Sequence, residues 1–319
     1  MGPHETAVAT LEPSRATRGG RAQQPLRSRI VDGELGGYVL LLPAVIVILL
    51  LTIWPLIFSL AISFTNFHGG GSTTTDIVGV DNYGKLLGDS FFKGSIGTTA
   101  MMLIIAVPAQ LALGYVCARL MQAAHDMMGA RLFRTFFILP TMMTSLSVAL
   151  FWRYIMDPTI GVANFVLTSL GLPMQLFFGD VNTAPLWIIF VYLWQWVPFT
   201  SMLIMAGLLG ISREIYESAS IDGAPWHARI IWIDLPLLKR VFGIAAILAI
   251  VEVIRLFDLV YGATNGGPGT STYTVTLGIF RIAFQNFDTA LAAAASLLVL
   301  VLTIIIAQVF VRVAREEAK

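Results

Sequence analysis

The sequence is poor in charge and nearly devoid of cysteine. Only 12% of its 319 residues are Asp, Glu, Lys or Arg, about half of what a soluble domain carries. That deficit excludes a water-soluble enzyme of this length, and 56% hydrophobic residues exclude a disordered chain. The single cysteine, Cys117, excludes disulfide frameworks and cysteine-based metal clusters. A formal net charge of +1 excludes a strongly basic nucleic-acid binder. The four histidines (His4, His68, His125, His227) are too scattered to form a metal site. Also missing are GxxxxGKS/T, HExxH, GxSxG and CxxC patterns. No catalytic residue, cofactor or metal is therefore assigned, and any nucleotide energy must come from a partner.

What is present is a set of long apolar runs, with a mean hydropathy of +0.79. About 20 apolar residues cross the hydrocarbon core. Six segments qualify, at about 38–64, 94–118, 135–155, 184–209, 241–260 and 289–311. The expected fold is all-α: a polytopic membrane protein of six transmembrane helices over residues 35–313. Pro55, Pro108, Pro140 and Pro198 fall inside these runs, which bundled helices tolerate because neighbours satisfy the freed backbone groups.

Residues 1–34 mix Pro, Gly, Ser, Thr and Arg without hydrophobic period and are expected to form a disordered tail. The full-length apolar run that follows makes them a poor signal peptide. His68 to Thr75 reads as a Gly/Ser/Thr linker, and no internal repeat of 20–50 residues is visible. Fifteen Lys and Arg fall in the two termini and the loops after the second and fourth segments, against three (Lys85, Lys93, Arg281) in the alternate loops. The positive-inside rule then places both termini, including 314–319, in the cytoplasm.

The longest inside connection is 210–240. Ser212 suits an N-cap, and Glu214 and Glu217 lie where a helix dipole favours acids. Gly223 can end that helix in a left-handed conformation, and Pro225 suits the first turn of a second one. Trp226, Ile230 and Ile233 give the second helix one apolar stripe, and Pro236 is expected to stop it. Such a helix–turn–helix either docks into a partner's groove or rests as an amphipathic connector on its own bundle.

The fifth segment carries Glu252, Arg255 and Asp258. Each charge at a bilayer centre costs on the order of 2.5–3.5 kcal/mol. On one continuous helix the three lie within a sector of about 120°, and Arg255 can pair with both acids at i±3. They line a polar path or form a structural ion network. Trp194 and Gln195 face a similar choice between sugar contact and interfacial anchoring. Gly266, Gly267 and Gly269 lack the strand–helix context of a phosphate loop. The Asn265–Gly269 stretch is an outer gate, a contact for an external protein, or a tight turn.

From Glu217 the chain reads ESASIDGAPWHARIIWIDLP. Glu217, Ser218, Ala219, Gly223, Ile233, Leu235 and Pro236 resemble the EAA signature of permease subunits in bacterial ABC importers, with Ser218 in place of the usual alanine. FRTFFILP (Phe133 to Pro140), the run from Trp194 to Ala224, and the FDxxYxxTxGGPxxxT pattern from Phe257 to Thr272 resemble the carbohydrate type of those permeases. That class serves maltose, glycerol-3-phosphate and polyols, and the likeness covers about residues 38–313.

The resemblance implies a type I ABC importer permease fold with a cytoplasmic coupling helix, in the inner membrane of a bacterium. It implies a second permease subunit, a dimer of ATPase subunits, an extracytoplasmic solute-binding protein and a carbohydrate substrate. Glu217, Ser218, Ala219, Asp222, Gly223 and Ala224 would meet the ATPase. Asp258, Glu252, Arg255, Trp194, Gln195 and Asn265 would line the path or gate, with Gly266, Gly267 and Pro268 in an outer loop. Competing readings are an ion-coupled secondary transporter, with the fifth-segment carboxylates as relay, and an intramembrane enzyme.

Overall fold

The computed structural model describes residues 34–69, 75–124 and 129–316. The tail before Glu34, most of the 68–75 linker and residues 317–319 of the last segment lie outside them. Among the described residues the regular elements are helical, apart from one isolated antiparallel bridge between Thr65 and Ile77. The chain divides into two units, up to Ile57 and from Phe58 onward, each considered by itself.

The first holds α1 (Glu34–Ile48), a π turn (Leu49–Ile53) and the start of α2 (Trp54–Ile62), within which the boundary falls. The Trp54 N–H reaches back five residues to the Leu49 carbonyl. This wide turn comes immediately before Pro55, whose ring would crowd the carbonyl four residues back in a regular ladder. Leu41–Ile62 is apolar and long enough to cross a membrane.

The second unit contains α3 (Asp81–Gly88), α4 (Ser90–Ala123), α5 (Ala130–Met142), α6 (Ser145–Ile155), α7 (Val162–Ser169) and α8 (Ala184–Leu209). Then come α9 (Arg213–Ile221), α10 (Trp226–Arg229), a π turn (Ile230–Asp234), α11 (Leu235–Ile254), α12 (Asp258–Ala263), α13 (Val275–Phe284) and α14 (Thr289–Glu316). Asp89 caps α4 by accepting the Phe92 N–H at 2.8 Å. The α4–α8 pair is the most extensive helix contact. Gly114 makes their approach close, because a Cβ there would sit 2.7 Å from Thr200 Cγ2.

The core gathers Met102, Ile188, Tyr192, Ile250, Val253 and Leu259 from α4, α8, α11 and α12. A polar chain runs through it. Gln110 Nε2 donates to Thr200 Oγ1 at 2.7 Å, and the Tyr192 hydroxyl donates to Gln110 Oε1 at 2.7 Å. Polar groups buried in an apolar bundle must find such partners.

Two spans differ from the sequence expectation. The 135–155 segment is not one straight helix: α5 and α6 are bent by 100°. Met143 is extended between them, and Thr144 caps α6 by accepting the Ser147 N–H. Pro140 weakens the end of the first ladder, and the Thr144 cap starts a new one. The 241–260 segment likewise ends early, at Ile254, and resumes as the six-residue α12. Four helices among the described residues are apolar and long enough to cross a membrane, or five if the bent pair is one span. The 20-residue α11 falls outside that set, with Lys239, Arg240 and Glu252 along it.

Candidate functional site: a coupling loop and a polar opening

Ser212 caps α9, its hydroxyl accepting the Glu214 N–H at 3.2 Å. The helix ends at Gly223 (φ +70°). There the Ala224 N–H bonds to the Ala219 carbonyl at 2.9 Å and the Gly223 N–H to the Ser220 carbonyl at 3.1 Å. This is the Schellman arrangement, which needs a left-handed residue after the C-cap. Arg229 Nε braces the turn by donating to the Ala224 carbonyl at 3.0 Å. Glu217, Ser218, Asp222 and Gly223 are exposed, while Ala219 and Ala224 are half-buried. Beside them Ile221 is 87% and Trp226 75% exposed. The loop therefore exposes two large apolar side chains beside acids and small residues.

The expected stop at Pro236 does not occur. Residues 226–254 form one uninterrupted helical run through the π turn, with the Leu235 N–H reaching back to the Ile230 carbonyl. The widened turn precedes Pro236 as the earlier one precedes Pro55, and it lets the helix pass the proline.

Sequence reasoning missed the group that anchors this loop. Asp234, last residue of the π turn, is fully buried. It accepts hydrogen bonds from the Tyr115 hydroxyl of α4 and from the Tyr216 hydroxyl of α9 at 2.6 Å. Arg119 Nε lies 3.3 Å from its Oδ2, and the same guanidinium sits 5.4 Å over the Tyr216 ring. Burial, and then the bond to Asp234, push the Tyr216 phenol up. The available signal was one acid inside the otherwise apolar IIWIDLPLL, with Tyr115 and Arg119 one helical turn apart.

At the far end of α11 the three charges do not share a helix face. Arg255 closes α11 and Asp258 opens α12. Arg255 Nη1 is 4.0 Å from Glu252 Oε1, and the described residues show no salt bridge from it to Asp258. Arg255 and Asp258 are exposed and Glu252 half-buried. The expectation that Arg255 bridges both acids is corrected: the break turns Asp258 away. Hydroxyls of Thr274 and Thr276 satisfy the Leu256 carbonyl freed at the break, at 3.0 and 3.2 Å.

Gln195 is only 2% exposed, and its Nε2 donates to the Met143 carbonyl at 3.0 Å. Its amide serves the gap between α5 and α6 and does not face open space, which corrects its assignment to a substrate path. Trp194 is half-buried, stacked on Phe151 and edge-on to Trp152. Asn265 (φ +51°) and Gly266 (φ +87°) form the turn after α12. Arg281 Nη2 donates to the Asn265 carbonyl at 2.8 Å. The Thr272 hydroxyl donates to the Gly267 carbonyl at 2.7 Å, so this is a braced loop. Next to it Lys85, Asp89, Tyr273 and Arg281 line a cavity of about 430 Å³. Residues 217–224 and residues 258–268 thus lie toward opposite ends of α11.

Among the described residues, several apolar helices are long enough to cross a membrane, and an exposed, capped helical loop precedes α11, the build of a helical membrane protein. The chain belongs to the family described as binding-protein-dependent transport system inner membrane component, whose model matches residues 110–316. It is 30% identical to the trehalose/maltose transport system permease protein of Thermococcus litoralis, over 88% of this chain and 93% of that protein. It is 28% identical to the sulfoquinovosyl glycerol transport system permease protein of Agrobacterium fabrum, over 92% of this chain and 96% of that one. Its fold is also that of a bacterial alginate ABC transporter solved in complex with an alginate pentasaccharide-bound periplasmic protein. The TM-score is 0.80 at 20% identity, covering 92% of this chain and 98% of that chain. Membership in a binding-protein-dependent family sets aside the ion-coupled reading.

Proposed function

We propose that this chain pairs with a second permease to form the path for ATP-driven uptake of a sugar or related polyol. An ATPase dimer drives the cycle by docking on Glu217, Ser218, Ala219, Asp222, Gly223 and Ala224. The observation that carries this reading is the Schellman-closed turn, which sets two exposed apolar side chains, Ile221 and Trp226, beside exposed acids. An external solute-binding protein delivers the solute at the opposite end, beside Asn265, Gly266, Gly267 and Pro268. Asp258, exposed at the start of α12, belongs to the path in this reading, with Glu252 and Arg255 just before it on the chain and Trp194 on α8. The permeases named above act on trehalose/maltose and sulfoquinovosyl glycerol, and they supply the carbohydrate class.

In this reading six spans cross the inner membrane, with α11 and the bent α5–α6 pair among them, and both termini are cytoplasmic. The excess of Lys and Arg in the termini and in the loops after the second and fourth segments supports that orientation.

The test is purification of the tagged chain in mild detergent, with mass spectrometry of what accompanies it. Recovery of a second permease and an ATPase, lost in Glu217→Lys and Gly223→Pro variants that still insert, is the expected result. A chain that purifies alone and still transports in proteoliposomes without ATP would overturn the proposal.

A further inference from the structure

Asp234 is a carboxylate with no access to solvent, placed where three elements meet. A buried charge is costly unless every lone pair finds a donor. Here the donors come from different helices. Tyr216 belongs to α9, and Tyr115 and Arg119 to α4. Asp234 itself ends the π turn that leads into α11. Arg119 is tied further: its Nη1 donates to Gln122 Oε1 at 2.8 Å, and its guanidinium covers the Tyr216 ring. Displacing α9 alone would take the Tyr216 donor from Oδ1 of a buried carboxylate, so the arrangement opposes motion of α9 apart from α4 and α11.

We infer that Asp234 is a positioning residue for transport, linking the coupling loop to α4 and α11 so that movement imposed on α9 is passed to both membrane helices. The inference rests on the reading of α9 as the ATPase contact. Asp234 touches neither nucleotide nor solute. It acts through Tyr216 on the coupling helix and through Tyr115 and Arg119 on α4.

The experiment uses the assembled importer in proteoliposomes and measures solute taken up per ATP hydrolysed. Asp234→Asn keeps the shape but removes the charge and offers donors where acceptors are needed. It is expected to assemble with the ATPase and hydrolyse ATP, while uptake per ATP falls about fivefold or more. Tyr216→Phe, which deletes one hydroxyl, should lower the ratio in the same direction by less. The double variant should fall no further than Asp234→Asn alone, because both break one link. An assembled Asp234→Asn importer with the wild-type ratio overturns the inference. So does an Asp234→Asn chain that fails to assemble beside a Tyr216→Phe importer with an unchanged ratio. If the wild-type complex contains no ATPase, the functional reading fails, and this inference with it. An ATPase-bearing complex whose ratio does not respond sinks the inference alone.

Discussion

The side-chain amide of Gln195 on α8 holds the main-chain carbonyl of Met143 at 3.0 Å, where α5 gives way to α6. An extended residue inside a membrane-spanning region exposes backbone groups that lipid cannot satisfy. Gln195 closes that gap from the neighbouring helix. Gln195→Leu should therefore destabilise the protein by about 1–3 kcal/mol, the cost of one unsatisfied buried acceptor. Thermal unfolding in detergent measures it. Intact stability with weakened solute affinity would restore Gln195 to the substrate path.

Gly223 and Gly266 both have positive φ, yet they should respond differently to alanine. Nothing lies within 4 Å of a Cβ built on Gly223, so Gly223→Ala costs only the left-handed strain of about 1–2 kcal/mol. A Cβ on Gly266 would lie 2.8 Å from Leu277 Cδ2 and 2.9 Å from Tyr273 Cδ2. Gly266→Ala should add an overpacking cost of about 1–3 kcal/mol. Parallel unfolding curves decide the order, and equal losses would contradict the packing argument.

The Gln110 chain predicts non-additivity. Tyr192→Phe removes the hydroxyl that donates to Gln110 Oε1, and Gln110→Leu removes both of its bonds. Interhelical hydrogen bonds in membranes average about 0.6 kcal/mol, so Tyr192→Phe should be mild. Gln110→Leu should cost more, and the double variant less than the sum of the two. Strict additivity in a double-mutant cycle would show that the chain does not act as a unit.

Asp157 predicts an acid-sensitive loop after α6. Its Oδ1 accepts the Ile160 N–H at 3.0 Å, the Thr159 hydroxyl at 2.7 Å and the Thr159 N–H at 2.8 Å. These bonds, led by the Ile160 N–H, hold its carboxyl below the usual range. A depressed folded value means that the stabilisation is complete above the unfolded value of about 3.9 and fades as pH falls through the folded one. Amide exchange at Thr159 and Ile160 should accelerate in that acid window. In Asp157→Asn it should be fast at neutral pH as well.

The long apolar runs were legible because a membrane helix must bury every backbone group within itself and clothe it in apolar side chains, a constraint written residue by residue. The turn at Gly223 was legible for a related reason: a left-handed residue that ends a helix is a local requirement, and glycine meets it. The breaks were not. Pro140 and the Thr144 cap mark the first break only locally and Arg255 to Phe257 carry no stop signal, and each break persists because a distant side chain (Gln195, Thr274 or Thr276) satisfies the carbonyl left open. Pro236 misled in the opposite sense, since a π turn carries the helix past it.

By itself, then, the sequence determined that this chain is a helical membrane protein with a helix–turn–helix connection between residues 210 and 240. Those properties depend on composition and on contacts a few residues apart. Only the tertiary structure decided where the spans bend, that Arg255 does not bridge to Asp258, and that Asp234 gathers Tyr115, Arg119 and Tyr216. These depend on donors and acceptors 18 to 119 residues apart along the chain, brought together by packing that no local pattern encodes.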